Sequence, residues 1–203
     1  MKWIAPLPAY LAVGLGLFQF HSAWGALLGF HFAIFLSLLI AKPDISVAVL
    51  FRNSNIKWVI LSIFLCGSSG VTVYFLRDTF GLAGNLAVQM ESLGLTSITW
   101  IPFIAYFALV NPFVEEYFWR GYLGHHTKSL HFSDVIYAGY HGIVLLGKVA
   151  PGVILFGLMV LVTAGWFWRQ IAREDGGLLA PVIGHMAADC TILIALYWIV
   201  ASP

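Results

Sequence analysis

Residues 106–121 read Tyr106-Phe107-Ala108-Leu109-Val110-Asn111-Pro112-Phe113-Val114-Glu115-Glu116-Tyr117-Phe118-Trp119-Arg120-Gly121. Two adjacent glutamates stand in a run in which almost everything for the ten residues before them is greasy. A carboxylate at membrane depth costs roughly 2.5–3.5 kcal/mol on insertion scales, so it faces a cavity or a partner and has a task. An arginine follows Glu116 by one helical turn. The stretch is apolar enough for a bilayer and too charged to be inert within one.

The rest of the chain has the same character. A soluble domain carries about 25% charged residues, whereas this 203-residue chain carries 9%, with 61% hydrophobic residues and a mean hydropathy of +0.91. Those values predict an all-α, polytopic transmembrane bundle. The length accommodates about seven spans of roughly 20 residues. Apolar windows fall at 4–20, 23–41, 57–76, 99–122, 133–147, 151–168 and 177–200. Segment 42–57 reads as a membrane-surface loop and 77–98 as an interfacial amphipathic helix. Gly176-Gly177 and Pro181 mark the start of the last helix. No polar stretch is long enough for a separate soluble domain, so residues 1–203 form one membrane domain. A formal net charge of +1 argues against a nucleic-acid role. Cys66 and Cys190 lie in apolar segments and read as buried small hydrophobes rather than a disulfide or metal pair. Lys2 and the apolar run after it look like a signal peptide, but no small-x-small cleavage site precedes the next span, and a retained first helix is expected. With seven spans, Lys2, Lys42, Arg52, Lys57, Lys128, Arg169 and Arg173 collect on one side, and Arg77 and Lys148 on the other. This places the N-terminus in the cytoplasm.

Polar groups inside the windows suggest chemistry. Asn111-Pro112 offers an N-cap followed by proline at N1, predicting a helix break that leaves Glu115 and Glu116 beside a positive helix end. Glu116 and Arg120 share a helical face, as in an intrahelical ion pair. Glu115 points about 100° away and is free to meet another group. His141 lies within the fifth window, in Tyr137-Ala138-Gly139-Tyr140-His141-Gly142. His185 and Asp189 share a face of the seventh, where the aspartate can fix the imidazole tautomer. Taken singly, each has a plainer reading: salt-bridged helix pins, a packing histidine, a structural hydrogen bond. Under the seven-span topology, however, all lie in one layer near the cytoplasmic side. Two acids, two histidines, an arginine and an aspartate in one layer make a polar cavity able to activate water. His21 and His31 read as packing or interfacial residues, and His125, His126 and His131 as a wet loop. Trp3, Trp24, Trp58, Trp100, Trp166, Trp168 and Trp198 fall near span ends, as an aromatic belt does.

These segments resemble the CPBP family of intramembrane proteases, the CAAX prenyl endopeptidase type II and bacteriocin-processing-like enzymes. That family carries EExxxR, FxxxH and HxxxN or HxxxD on successive core helices. Here they stand as Glu115-Glu116-Tyr117-Phe118-Trp119-Arg120, Tyr137-x-x-x-His141 and His185-x-x-x-Asp189. Gly177-Leu178-Leu179-Ala180-Pro181-Val182-Ile183-Gly184-His185 is also similar to family members. The resemblance covers residues 99–203 as a protease-like core, and residues 1–98 are variable N-terminal spans without specific resemblance. Tyr137 departs from the usual phenylalanine and adds a hydroxyl that supports packing or a hydrogen bond into the site.

The resemblance implies that Glu115 activates water with His141 as its partner. Glu116 and Arg120 shape the site or contact the substrate. His185 and Asp189 line the oxyanion side, with Asp189 orienting His185. Zinc is the alternative, because glutamate and histidine are zinc ligands. HExxH is absent, and no cofactor or metal is expected. The implied activity is hydrolysis of a membrane-anchored protein or peptide near the cytoplasmic face, with the lipid bilayer as the other partner and no nucleic acid. The expected location is a bacterial or archaeal plasma membrane. Two readings from other classes use the same polar residues: a proton-coupled transporter and a non-catalytic scaffold. A transporter would continue its polar groups into the far leaflet, where these windows are nearly all apolar.

Overall fold

The computed structural model describes residues 2–52, 54–82 and 84–201, and among them there is no strand. Eight α-helices follow in order: α1 (Pro6–Gly14), α2 (Ala23–Ala41), α3 (Ile56–Phe75), α4 (Leu86–Ser92), α5 (Trp100–Glu116), α6 (Phe132–Leu145), α7 (Pro151–Asp175) and α8 (Leu179–Ala201). A helix lies in every expected apolar window. The expected interfacial helix is short, seven residues in α4, with Leu86 and Met90 turned inward. Four helices, α2, α3, α7 and α8, are long and apolar enough to cross a membrane. The figure of about seven spans goes beyond that. α6 has 14 residues, so at 1.5 Å per residue it is about 21 Å long, short of a hydrocarbon core of roughly 30 Å.

One expectation is corrected. Asn111-Pro112 does not break the chain into two helices: α5 runs through Pro112 and continues as a wider π turn over Tyr117–Tyr122. Proline removes one backbone donor and frees the carbonyl four residues before it, which loosens a helix without ending it when neighbours hold it. The π turn closes where the Leu123 amide donates to the Phe118 carbonyl at 2.9 Å. Asn111 is buried and spends its side chain on Glu115, one turn further along α5, and on Asp189 of α8. Glu115 and Glu116 therefore lie near a helix C-terminus, and the favourable N-terminal dipole inferred from the sequence does not act on them.

The helices run between two ends. At one, Lys2 approaches the Tyr122 ring, Arg52 Nη1 donates to the Gly176 carbonyl at 2.8 Å, and Lys57 lies 3.7 Å from Glu174. At the other, Ala150 N donates to Phe80 O, and Ala23 N to Leu93 O. The basic residues Lys2, Arg52 and Lys57 thus share one end, and Arg77 and Lys148 flank the contact at the other. α8 is the central helix, packed against α3, α5 and α7, while α6 packs on α7 and α1 on α2. α7 ends at Gly176, whose φ of 65° is the left-handed conformation that terminates helices. The turn to α8 is short, and Pro181 sits in the first turn of α8, where a missing N–H costs nothing.

Exposure is inverted relative to a soluble protein. Phe64 and Phe75 on α3 are each 75% exposed, whereas Glu115 is 1% and Glu116 0% exposed. An apolar exterior of this extent suits a bilayer. α3 and α8 approach closely at Gly184, where a Cβ would stand 2.7 Å from the Ser62 Cβ. Gly184→Ala is expected to force the helices apart and cost about 1–3 kcal/mol, the usual range for overpacking. The check is thermal unfolding in detergent. Gly67→Ala is the control: its Cβ would meet Ala187 at an ordinary 3.9 Å, and the unfolding temperature should hold or rise.

Candidate active site

α5 carries Glu115 into the interior, and three donors meet its carboxylate. Asn111 Nδ2 donates to Oε1 at 2.8 Å and Tyr140 OH to the same oxygen at 2.6 Å; Trp119 Nε1 donates to Oε2 at 3.0 Å. Asn111 and Trp119 stand one turn before and after the glutamate, and α6 supplies Tyr140. A buried charge is tolerated only when hydrogen bonds replace its water. Each carboxylate oxygen has two lone-pair sites. Oε1 is filled, and Oε2 keeps one site open.

Glu116 is the second hub. Its Oε1 lies 3.1 Å from Arg120 Nη1 and accepts from His185 Nδ1 at 2.9 Å. Its Oε2 is buried with no protein partner. The Arg120 guanidinium lies 3.8 Å above the Tyr137 ring, so Tyr137 serves the site through its face as a cation–π platform. Trp168 of α7 stacks on His185, centroids 5.0 Å apart. His185 Nε2 is 3.5 Å from Asp189 Oδ1, a looser contact than the one Nδ1 makes with Glu116. Asp189 Oδ2 accepts from Asn111 Nδ2 at 3.2 Å. Asn111 thereby ties the glutamate segment of α5 to the histidine–aspartate segment of α8.

His141 is half-buried. Its Nδ1 donates to the Tyr137 carbonyl at 3.2 Å, and its ring lies 4.0 Å from that of Tyr140, the residue that bonds Glu115. Glu115, Glu116, Arg120, His185 and Asp189 thus form one connected network, with His141 at its edge through Tyr140. Among the described residues, no group of three or more His, Cys, Asp and Glu side chains is gathered as a metal ion would require. A cavity of about 250 Å³ opens beside Arg120, between the His125-His126 loop and the Gly176-Gly177 turn.

Several members of the network were not singled out from the sequence. Asn111 reads as a helix cap, Trp119 and Tyr140 as ordinary aromatics, Trp168 as part of a membrane belt and His31 as packing. Depth is the signal that could have found His31: a polar side chain on an apolar helix usually has a polar partner. His31 Nε2 lies 3.0 Å from Asn111 Oδ1.

A second buried ion pair holds the loop behind the site. Arg169 of α7 and Asp134 of α6 are 2% and 3% exposed, and the arginine donates twice, Nε to Oδ1 at 2.8 Å and Nη2 to Oδ2 at 2.7 Å. The same guanidinium reaches the carbonyls of His125, Thr127 and Ser129. Asp134 also accepts from the His131 amide, and His131 caps α6 in return. His125 and His126 are exposed, as a wet loop would leave them, whereas His131 is half-buried and stacks on His125 at 4.6 Å. Partial burial, then the neighbouring His125, hold the His131 pKa below its usual value.

Residues 97–191 match the family model described as Rce1-like, Type II CAAX prenyl endopeptidase Rce1-like. The match includes every motif residue from Glu115 to Asp189 and supports the resemblance seen in the three motifs; α1 to α4 lie outside it. No curated protein matches the chain, and no solved structure does.

Removing one partner of a buried pair strands the other charge, at a cost of about 3–5 kcal/mol. Asp134→Asn is therefore expected to lower the unfolding temperature markedly and to speed tryptic cleavage after Lys128. Unchanged melting and proteolysis would show that the latch does not hold the loop.

Proposed function

From the Rce1-like match over residues 97–191 and the layout of α5, α6 and α8, we propose that this chain is an intramembrane endopeptidase using a glutamate-activated water. It hydrolyses a peptide bond of a membrane-associated protein or peptide. Water binds at the open lone-pair site of Glu115 Oε2. The carboxylate takes a proton from that water, and the hydroxyl oxygen bonds to the scissile carbonyl carbon. His141 partners the water through Nε2, since its Nδ1 is already committed to Tyr137. The developing oxyanion meets His185 in its imidazolium form: Nδ1 donates to Glu116, and the Nε2–H, only loosely held by Asp189, turns to the oxyanion. Collapse of the tetrahedral intermediate breaks the C–N bond, and the proton held by Glu115 passes to the departing amine.

The observation that carries this reading is the Glu115 carboxylate: 1% exposed, fixed by three donors and left with one open acceptor site. Glu116 and Arg120 set the position of His185 and shape the wall of the cavity beside the site. We place the reaction near the cytoplasmic face in a seven-span arrangement. Lys2, Arg52 and Lys57 mark the end at which α5 finishes and α6 and α8 begin. The reading uses no metal. Candidate substrates are prenylated tails, leader peptides, bacteriocin precursors and membrane-anchored sorting tails.

The test is cleavage of a panel of tail-anchored and leader peptides by wild type, Glu115→Gln and His141→Ala, each with and without a chelator. Wild type should cleave, and Glu115→Gln should lose about 10²–10⁴-fold, the span of general-base contributions. His141→Ala should also be impaired, and chelator should change nothing. Equal cleavage by all three proteins would overturn the assignment. Loss to chelator with recovery on adding zinc would replace the metal-free mechanism.

A further inference from the structure

His31 lies on α2, outside the matched residues, and is 9% exposed. It stands in a chain of side chains whose donors and acceptors are fixed by what lies at its far end. Asn111 places Nδ2 against two carboxylates, Glu115 at 2.8 Å and Asp189 at 3.2 Å. Carboxylates accept, so the amide nitrogen must face them and the amide oxygen must face the other way. An amide orientation is ordinarily assigned from its partners, and here two acceptors on one side decide it. Asn111 Oδ1 then points at His31 Nε2, 3.0 Å away. An amide oxygen only accepts, so that nitrogen carries the hydrogen. In the neutral ring Nδ1 is the acceptor, and the Tyr106 hydroxyl lies 3.2 Å from it. The direction of donation is Tyr106 to His31, His31 to Asn111, and Asn111 to Glu115 and Asp189.

We propose that His31 is a positioning residue for the hydrolytic site: it locks the Asn111 amide so that both its N–H groups face the two carboxylates. The inference rests on the protease reading for its kinetic consequence. Without a donor at His31 Nε2, Asn111 is free to turn its oxygen toward Glu115 and Asp189, where oxygen faces oxygen. The N-terminal half is then part of the site's machinery as well as a wrapper around it.

Two measurements test this. The first needs no substrate: ¹⁵N NMR of histidine-labelled protein, with the His31 signal assigned by its loss in His31→Gln. Nε2 should be protonated, and a bare Nε2 overturns the proposal even if the protein cleaves nothing. The second is kinetic. His31→Leu should lower kcat by about 10- to 100-fold with KM nearly unchanged, the worth of one hydrogen bond acting on a charged group. His31→Gln places an amide N–H near the lost Nε2–H and should recover most of that loss. Equal loss in both variants, or none in His31→Leu, overturns the proposal. If wild type cleaves no peptide, the protease reading fails and the NMR result still decides whether His31 orients Asn111.

Discussion

The three hydrogen bonds to Glu115 constrain the rest of the structure. An ionised carboxylate taken out of water must recover its solvation from fixed donors, and here these come from the preceding turn of α5, the following turn and α6. The helix must therefore pass unbroken through Asn111 and Pro112 to Trp119. α6 must lie close enough for Tyr140 to reach across. Because Asn111 also serves Asp189, α8 is drawn into the same layer. A single buried charge thus fixes the relative placement of three helices more tightly than apolar packing alone would.

Around this centre the chain separates its polar and apolar surfaces. α3 and α7 turn large hydrophobic side chains outward, including Phe64, Phe75, Leu155 and Phe156. Inside, charges meet in two groups: Glu116 with Arg120 and His185, and Arg169 with Asp134. The first shapes the candidate site. The second binds the loop that follows α5 to α6 and α7, so the end of the π turn is held from behind. Several buried polar atoms among Glu116, Arg120, Trp168 and Ser62 make no hydrogen bond, although Arg120 keeps its ion pair with Glu116. They lie around the same helix crossing, and unpartnered polar atoms of that kind suit a site built to receive water or substrate.

Helical periodicity made part of this legible in sequence. Glu116 and Arg120, and His185 and Asp189, are each four residues apart, and a helix brings such pairs to one face whatever the tertiary fold. Apolar windows announced the helices for a similar reason. What was hidden depends on contacts between distant segments. Arg169 finds Asp134 on another helix, and His31 finds Asn111 across eighty positions; no local spacing encodes either. Asn111 misled because asparagine before proline is a common helix start, and only its crowded surroundings show that its side chain serves neighbouring helices. The expected Glu115–His141 pairing is also finer than spacing can reveal: Tyr140, the residue before His141, makes the bond to Glu115.

The central claim is that water, activated by Glu115, attacks the scissile carbonyl directly. The most direct measurement is a single turnover in H₂¹⁸O on a peptide that the protein cleaves, with both product and enzyme analysed by mass spectrometry. The account predicts ¹⁸O in the new carboxyl terminus of the product and an unlabelled Glu115. Label in the Glu115 carboxylate, with none in the product, would mean that the glutamate itself attacks the peptide, and would contradict the account.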